Sequence, residues 1–158
     1  MSHVHVAVAR NSKSVVELNN SFANKINMKL FITASFGDTR EAIEKLCGLV
    51  KDAEFIDFCF IRDIENYQKV FFDSKELMQR AREEISKSDA LLIDMTDKPT
   101  GRAIEAGIAY ALGKKIIVIM KRGTKIKDTT VGIADAIIEY DVVDDISDGL
   151  KKAKLKWQ

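Results

Sequence analysis

Glu105 is the residue of this chain whose setting most suggests chemistry. It is the one carboxylate in an otherwise apolar helical stretch from about Arg102 to Leu112. At about 100° per residue it shares a helix face with Gly101, Ile108, Ala109 and Leu112. A charge on an apolar stripe is unfavourable unless something compensates it, and near the start of a helix the macrodipole favours an anion. The combination predicts an ionised carboxylate kept in a dry pocket, ready for a reaction that uses its charge. A second group of interest is Ser35, Gly37 and Thr39, whose hydroxyls and backbone N–H groups could meet a phosphate at a helix N-terminus. Asp38 among them would repel phosphate, and Arg40, Lys98 and Arg102 could offset it. The plainer reading of the same residues is a strand-to-helix turn capped by Asp38 or Thr39.

The elements that must position these groups alternate along the chain. Lys29–Ser35 reads as a strand, Thr39–Lys51 as a helix with Ala42, Ile43, Leu46, Leu49 and Val50 in helical spacing, and Phe55–Phe60 as a second strand. Residues 61–72 are irregular, and the Phe71-Phe72 pair is placed to cover a pocket. Asp73-Ser-Lys-Glu76 has capping-box form and opens a helix to about Lys87. Ala90–Met95 is a third strand, Gly113 closes the Glu105 helix, and Ile116–Met120 is a continuous apolar run suited to the middle of a parallel sheet. A basic loop at Lys121–Lys127, a short helix near Val131–Ala136, a strand at Ile137–Tyr140 and a last helix follow. On that last helix Ile146, Leu150, Ala153 and Trp157 mark the inner face, and lysines 151, 152, 154 and 156 read as solvated.

This alternation implies an α/β fold: a doubly wound, five-stranded parallel sheet of flavodoxin-like order 2-1-3-4-5. The crevice of such a sheet opens beyond the carboxyl ends of strands 1 and 3. The loops there are Ser35–Arg40 and Met95–Gly101, and the second runs into the Glu105 helix. Residues 29–158 form one domain, and residues 1–28 an N-terminal extension in which Val4–Ala9 suggests a strand and Val15–Ile26 a helix. His3 and His5 have no evident third ligand, so no metal site is expected.

Composition narrows the classes. The chain has 158 residues, 46% hydrophobic and 31% charged, with a formal net charge of +1. That balance is globular and gives no general case for binding nucleic acid or an anionic membrane. Neither a membrane-spanning run nor a signal-peptide pattern is present, which points to a cytoplasmic location. Cys47 and Cys59 sit in apolar company and read as two buried thiols. The patterns of dinucleotide, P-loop, zinc and Ser-His-Asp enzymes are missing.

The segment Gly101-Arg-Ala-Ile-Glu-Ala-Gly-Ile-Ala-Tyr-Ala-Leu-Gly-Lys114 resembles the nucleoside 2-deoxyribosyltransferase family and the related deoxynucleoside monophosphate N-glycosidases. A Gly stands four residues before the Glu, another two after it, and an Ala-rich stretch ends in Gly-Lys before an apolar strand. The likeness extends to the Ser35-Phe36-Gly37 turn and covers about Lys29 to Tyr140. It implies an enzyme that cleaves or transfers at the N-glycosidic bond of a nucleoside or nucleotide, with Glu105 as the nucleophile at C1′. It also implies that Ser35, Phe36, Gly37, Thr100, Gly101 and Arg102 hold the sugar and any phosphate. No cofactor is implied, and a homo-oligomer is.

The chain departs from the family in ways that bear on mechanism. The N-glycosidases carry an Asp where this chain has Ala81, a Tyr at Phe31 and a Gly at Ala34; the transferases carry an Asp where it has Pro99. The resemblance therefore supplies no proton donor for the leaving base. Asp94 and Asp97 are the nearest candidates, and either can equally cap a loop. A non-catalytic nucleotide-binding module that kept the crevice, and other Glu-dependent glycosyl chemistry such as NAD cleavage, are the competing readings.

Overall fold

The computed structural model describes residues 28–158. The strand at Val4–Ala9, the helix at Val15–Ile26 and the His3/His5 pair lie outside the described residues. The elements are β1 (Lys29–Ile32), α1 (Arg40–Asp52), β2 (Ile56–Cys59), a single turn α2 (Phe60–Asp63), α3 (Ser74–Ser86) and β3 (Ala90–Asp94). They continue with α4 (Thr100–Ala111), β4 (Lys115–Lys121), α5 (Asp128–Ile133), β5 (Ala136–Tyr140) and α6 (Ile146–Lys156). All five strands are parallel, in the order β2-β1-β3-β4-β5 that the alternating pattern implies.

Two cores follow from the period-two alternation of the strands. Leu30, Ile32, Leu92, Ile117 and Ile119 pack against Ile43, Cys47 and Val50 of α1 and Leu150 and Ala153 of α6. Phe31, Leu91, Ile93, Ile116 and Val118 face the other way, onto Ala81 and Ile85 of α3 and Ala106 and Ala109 of α4. Each fully buried aliphatic side chain contributes about 1.5–3 kcal/mol. A surface pair such as Lys45–Asp144, both side chains more than half exposed, adds about 0–1 kcal/mol. The two sheet faces therefore carry the stability. Cys47 and Cys59 are buried and free.

Local chemistry sets the helix ends. Thr39 accepts the Ala42 N–H at 3.1 Å to cap α1, and Asp73 accepts the Lys75 N–H at 2.9 Å to cap α3. After α4, Gly113 takes φ +70, and the N–H groups of Gly113 and Lys114 donate to Tyr110 and Ala109. That is the doubly bonded stop for which glycine is suited.

Some boundaries and one face differ from the expectations. β1 ends at Ile32 rather than Ser35; just beyond it Thr33 donates both its N–H and its hydroxyl to the Leu92 carbonyl. α5 begins at Asp128, three residues earlier than expected. Lys154 is not on a solvated face: it is buried at 4% exposure, its ammonium donates to the Glu54 carbonyl, and it lies over the Phe55 ring. A long aliphatic stem lets lysine do this when a carbonyl waits at the far end. Phe71 packs on Phe60 with ring centroids 5.8 Å apart, whereas Phe72 is 85% exposed. No helix among the described residues is long and apolar enough to cross a membrane.

Candidate active site

A cleft of about 430 Å³ opens beside the carboxyl ends of β1 and β2, on the α3/α4 face of the sheet. Its floor and walls are Phe31 and Ile32 of β1, Phe60 and Ile61 of α2, and Leu77, Met78 and Ala81 of α3. Ser35 and Phe36 enter from the loop after β1, and Pro99, Thr100, Gly101, Arg102 and Glu105 from the start of α4. The lining is mostly apolar with a few convergent polar groups, the composition usual for a small-molecule site. Neither Phe71 nor Phe72 lines it, so the aromatic pair does not cover this cleft.

Glu105 reaches the cleft from the second turn of α4. The residue is half-buried, but its Oε2 is sealed from solvent and has no hydrogen-bond partner among the described residues. Burial drives its pKa up to about 8; Cys59 and Glu65 add to the rise, and Arg102 opposes it. This reverses the expectation of an ionised carboxylate. Glu105 sits too far into α4 for the helix N-terminus to outweigh desolvation, since the dipole acts within the first turn. At neutral pH in the unliganded chain Glu105 is therefore mostly protonated.

Arg102 bridges the loops. Its side chain is 15% exposed, its Nε is buried without a partner, and its guanidinium stands 3.9 Å from Asp38. Asp38 is held by the turn, accepting the Ser35 N–H at 2.7 Å. Pro99 precedes α4 and no side chain caps that helix, so its first N–H groups are left for solvent or a ligand. Lys98, at φ 49, gives the sharp entry into α4, its N–H bonded to the Met95 carbonyl. A Cβ at Gly101 would meet nothing within 4 Å, so no protein atom requires the glycine there.

Of the residues singled out from sequence, Ser35, Phe36, Thr100, Gly101, Arg102 and Glu105 line one cleft. Gly37 belongs to the adjoining turn and is not part of the lining. Asp94 and Asp97 are not in this cleft either. Asp94 faces the α1/α6 side, where it accepts the Thr96 N–H at 2.9 Å, the Thr96 hydroxyl at 2.6 Å and the Tyr140 hydroxyl at 2.5 Å. Burial and that carboxylate push the Tyr140 phenol up to about 12. Asp97 is exposed in the loop. The period-two count held the clue: Ala90, Leu92 and Asp94 share a strand face, opposite the one against which α4 packs.

One cleft residue escaped the sequence reading. Glu65 is only 4% exposed and lines the cleft with Glu105. Burial raises its pKa from the ordinary glutamate value. Among the described residues no group of three or more His, Cys, Asp or Glu is placed to hold a metal ion.

No protein-family model and no curated protein matches the chain. Solved structures do. A CMP N-glycosidase from Clostridium botulinum superposes with a TM-score of 0.55 at 19% identity, over 77% of this chain and 98% of its own. A 2-deoxyribosyltransferase from Bacillus psychrosaccharolyticus gives 0.56 at 19% identity, over 75% and 90%. A conserved protein from Enterococcus faecalis gives 0.63 at 16% identity, over 82% and 99%. At these identities the likeness is one of fold.

Proposed function

We propose that this chain cleaves or transfers at the N-glycosidic bond of a nucleoside or nucleotide, with Glu105 as the nucleophile. The observation that carries the proposal is the Glu105 Oε2: a buried carboxylate oxygen without a partner, in an apolar cleft at the carboxyl edge of the sheet. A buried polar atom left unpaired is unfavourable by about 1–3 kcal/mol, and a bound sugar would relieve it. The similarity of fold to an N-glycosidase and a deoxyribosyltransferase agrees with this reading.

Breaking the bond develops oxocarbenium character at C1′. A Glu105 oxygen forms the bond to C1′ as the C1′–N bond breaks and its electron pair leaves with the base. Water in hydrolysis, or a second base in transfer, then attacks C1′ and loses its proton as the Glu105–C1′ bond breaks and its electron pair returns to the carboxylate. Arg102, the Ser35 and Thr100 hydroxyls and the uncapped start of α4 suit a 5′-phosphate. The wall of Phe60, Ile61, Leu77 and Met78, with Phe36 half-exposed at the rim, suits a flat base. Because the nucleophile must be ionised when it attacks, base release falls in acid, where the carboxyls of the cleft are all protonated.

A nucleotide-binding module without catalysis is the second reading. Ala81 favours it: it is 2% exposed in the cleft wall, at the position where the N-glycosidases that the sequence resembles carry an Asp. Incubation with ribo- and deoxyribonucleosides, their monophosphates and NAD, followed by chromatography of free base, separates the two. Base release from a nucleoside or nucleotide, lost in Glu105→Gln, supports the enzyme. Tight binding with no release supports the module.

A further inference from the structure

We infer that Glu65 is the general acid that protonates the departing base. This rests on the glycosidic reading of the cleft and supplies what the Glu105 chemistry lacks. The titratable side chains among the lining residues are Glu65, Arg102 and Glu105. An arginine does not give up its proton, and Glu105 is committed to C1′. Asp94 is spent on Thr96 and Tyr140, and Asp97 lies outside the lining. With a sugar on Glu105 and its phosphate toward Arg102, the base falls against the Phe60–Ile61 wall, where Glu65 is the single ionisable group.

The backbone holds Glu65 there. It follows α2 with its N–H bonded to the Phe60 carbonyl at 3.1 Å, and Asn66 and Tyr67 then both take left-handed φ, 46 and 60. Asn adopts that region readily, but a Tyr does so only where its surroundings hold it, and such strain gathers at functional sites. Tyr67 is the anchor: its N–H donates to the Ile61 carbonyl at 2.8 Å, its hydroxyl donates to Glu44, and Arg40 lies over its ring at 4.6 Å. No side chain among the described residues hydrogen-bonds the Glu65 carboxyl, and burial favours its protonated form. Two carboxyls in one apolar cleft disfavour double ionisation, and the Glu65 charge adds to the rise at Glu105, so a state with one proton between them is favoured. Positive charge growing at C1′ draws the anion to Glu105, and the proton then belongs to Glu65. It passes to the base nitrogen as the C1′–N pair arrives there. Glu65, now a carboxylate, takes a proton from the attacking water or the incoming base and is restored.

The test compares two substrates for wild type and Glu65→Gln. One is the monophosphate that wild type cleaves fastest; the other is the same sugar phosphate with 4-nitrophenolate in place of the base, which departs as an anion and needs no proton. Glu65→Gln should lose about 10²–10⁴-fold with the base and stay within a few-fold with the nitrophenolate, a result that also shows the site intact. Glu65→Asp keeps a carboxyl and should cleave the base faster than Glu65→Gln. Equal losses on both substrates, with Glu65→Asp no better than Glu65→Gln, would overturn the acid role and leave the glycosidic reading standing. Wild type inactive on both substrates would overturn the glycosidic reading and the acid role with it.

Discussion

Replacing Glu105 by Gln should stabilise the unliganded protein at neutral pH and leave it nearly unchanged in acid. Burial holds the Glu105 pKa at about 8, against 4.5 for an ordinary Glu. Across that window the folded chain keeps a proton that the unfolded chain has released. The contribution of Glu105 to stability therefore falls as pH rises, by about 1.4 kcal/mol per pH unit, and is greatest below pH 4.5. By pH 7 the loss reaches about 3 kcal/mol, a large fraction of a typical net stability of about 5–15 kcal/mol. Gln is neutral at every pH and preserves the shape, so Glu105→Gln escapes the loss. For a domain of this size, 1 kcal/mol moves Tm by about 2–4 °C. Scanning calorimetry should thus place the variant about 6–12 °C above wild type at pH 7 and within a few degrees of it at pH 5. A Tm difference that does not change with pH would refute the reasoning, because it would mean Glu105 does not titrate between those values in the folded chain. A lower Tm at both pH values would make Glu105 a structural acceptor.

Asp94→Asn should lower the Tyr140 pKa, since the phenol loses the carboxylate beside it; ultraviolet titration of tyrosinate reads this, and base release should stay within a few-fold of wild type. Gly149→Ala should destabilise although alanine is the better helix former, because its Cβ would lie 2.8–2.9 Å from three carbons of Ile138, an overpacking worth about 1–3 kcal/mol in urea denaturation. A chain beginning at Met28 should fold and bind the same nucleotide, since β1, both cleft loops and Glu105 all follow it; isothermal titration of that truncation checks this, and failure to fold would place residues 1–27 in the core.

The parallel sheet was legible because its strands are short apolar runs set between helical patterns. The β4 run of Ile116–Met120 is buried throughout, as a strand covered on both faces must be. Glu105 and its helix stood out for the same reason in reverse, a charge where periodicity demands an apolar residue. Glu65 was hidden. It lies in a segment with no period, the left-handed pair after it includes a Tyr that gives no turn signal, and its burial comes from tertiary contact. The charge state of Glu105 was misjudged because the favourable helix field can be read from position, whereas desolvation depends on walls supplied by β1, α2 and α3. Asp94 looked available until Thr96 and Tyr140, the latter far along the chain, were seen to occupy it.

The central claim is a covalent bond between Glu105 and the sugar, and trapping it is the direct test. A 2′-fluoro-arabinosyl nucleotide should form the glycosyl ester and break it down slowly, because the fluorine disfavours positive charge at C1′. Mass spectrometry of the intact chain should show the sugar added, peptide mapping should place it on Glu105, and Glu105→Gln should carry none. Base release by wild type with no adduct, together with full activity in Glu105→Gln, would contradict the account.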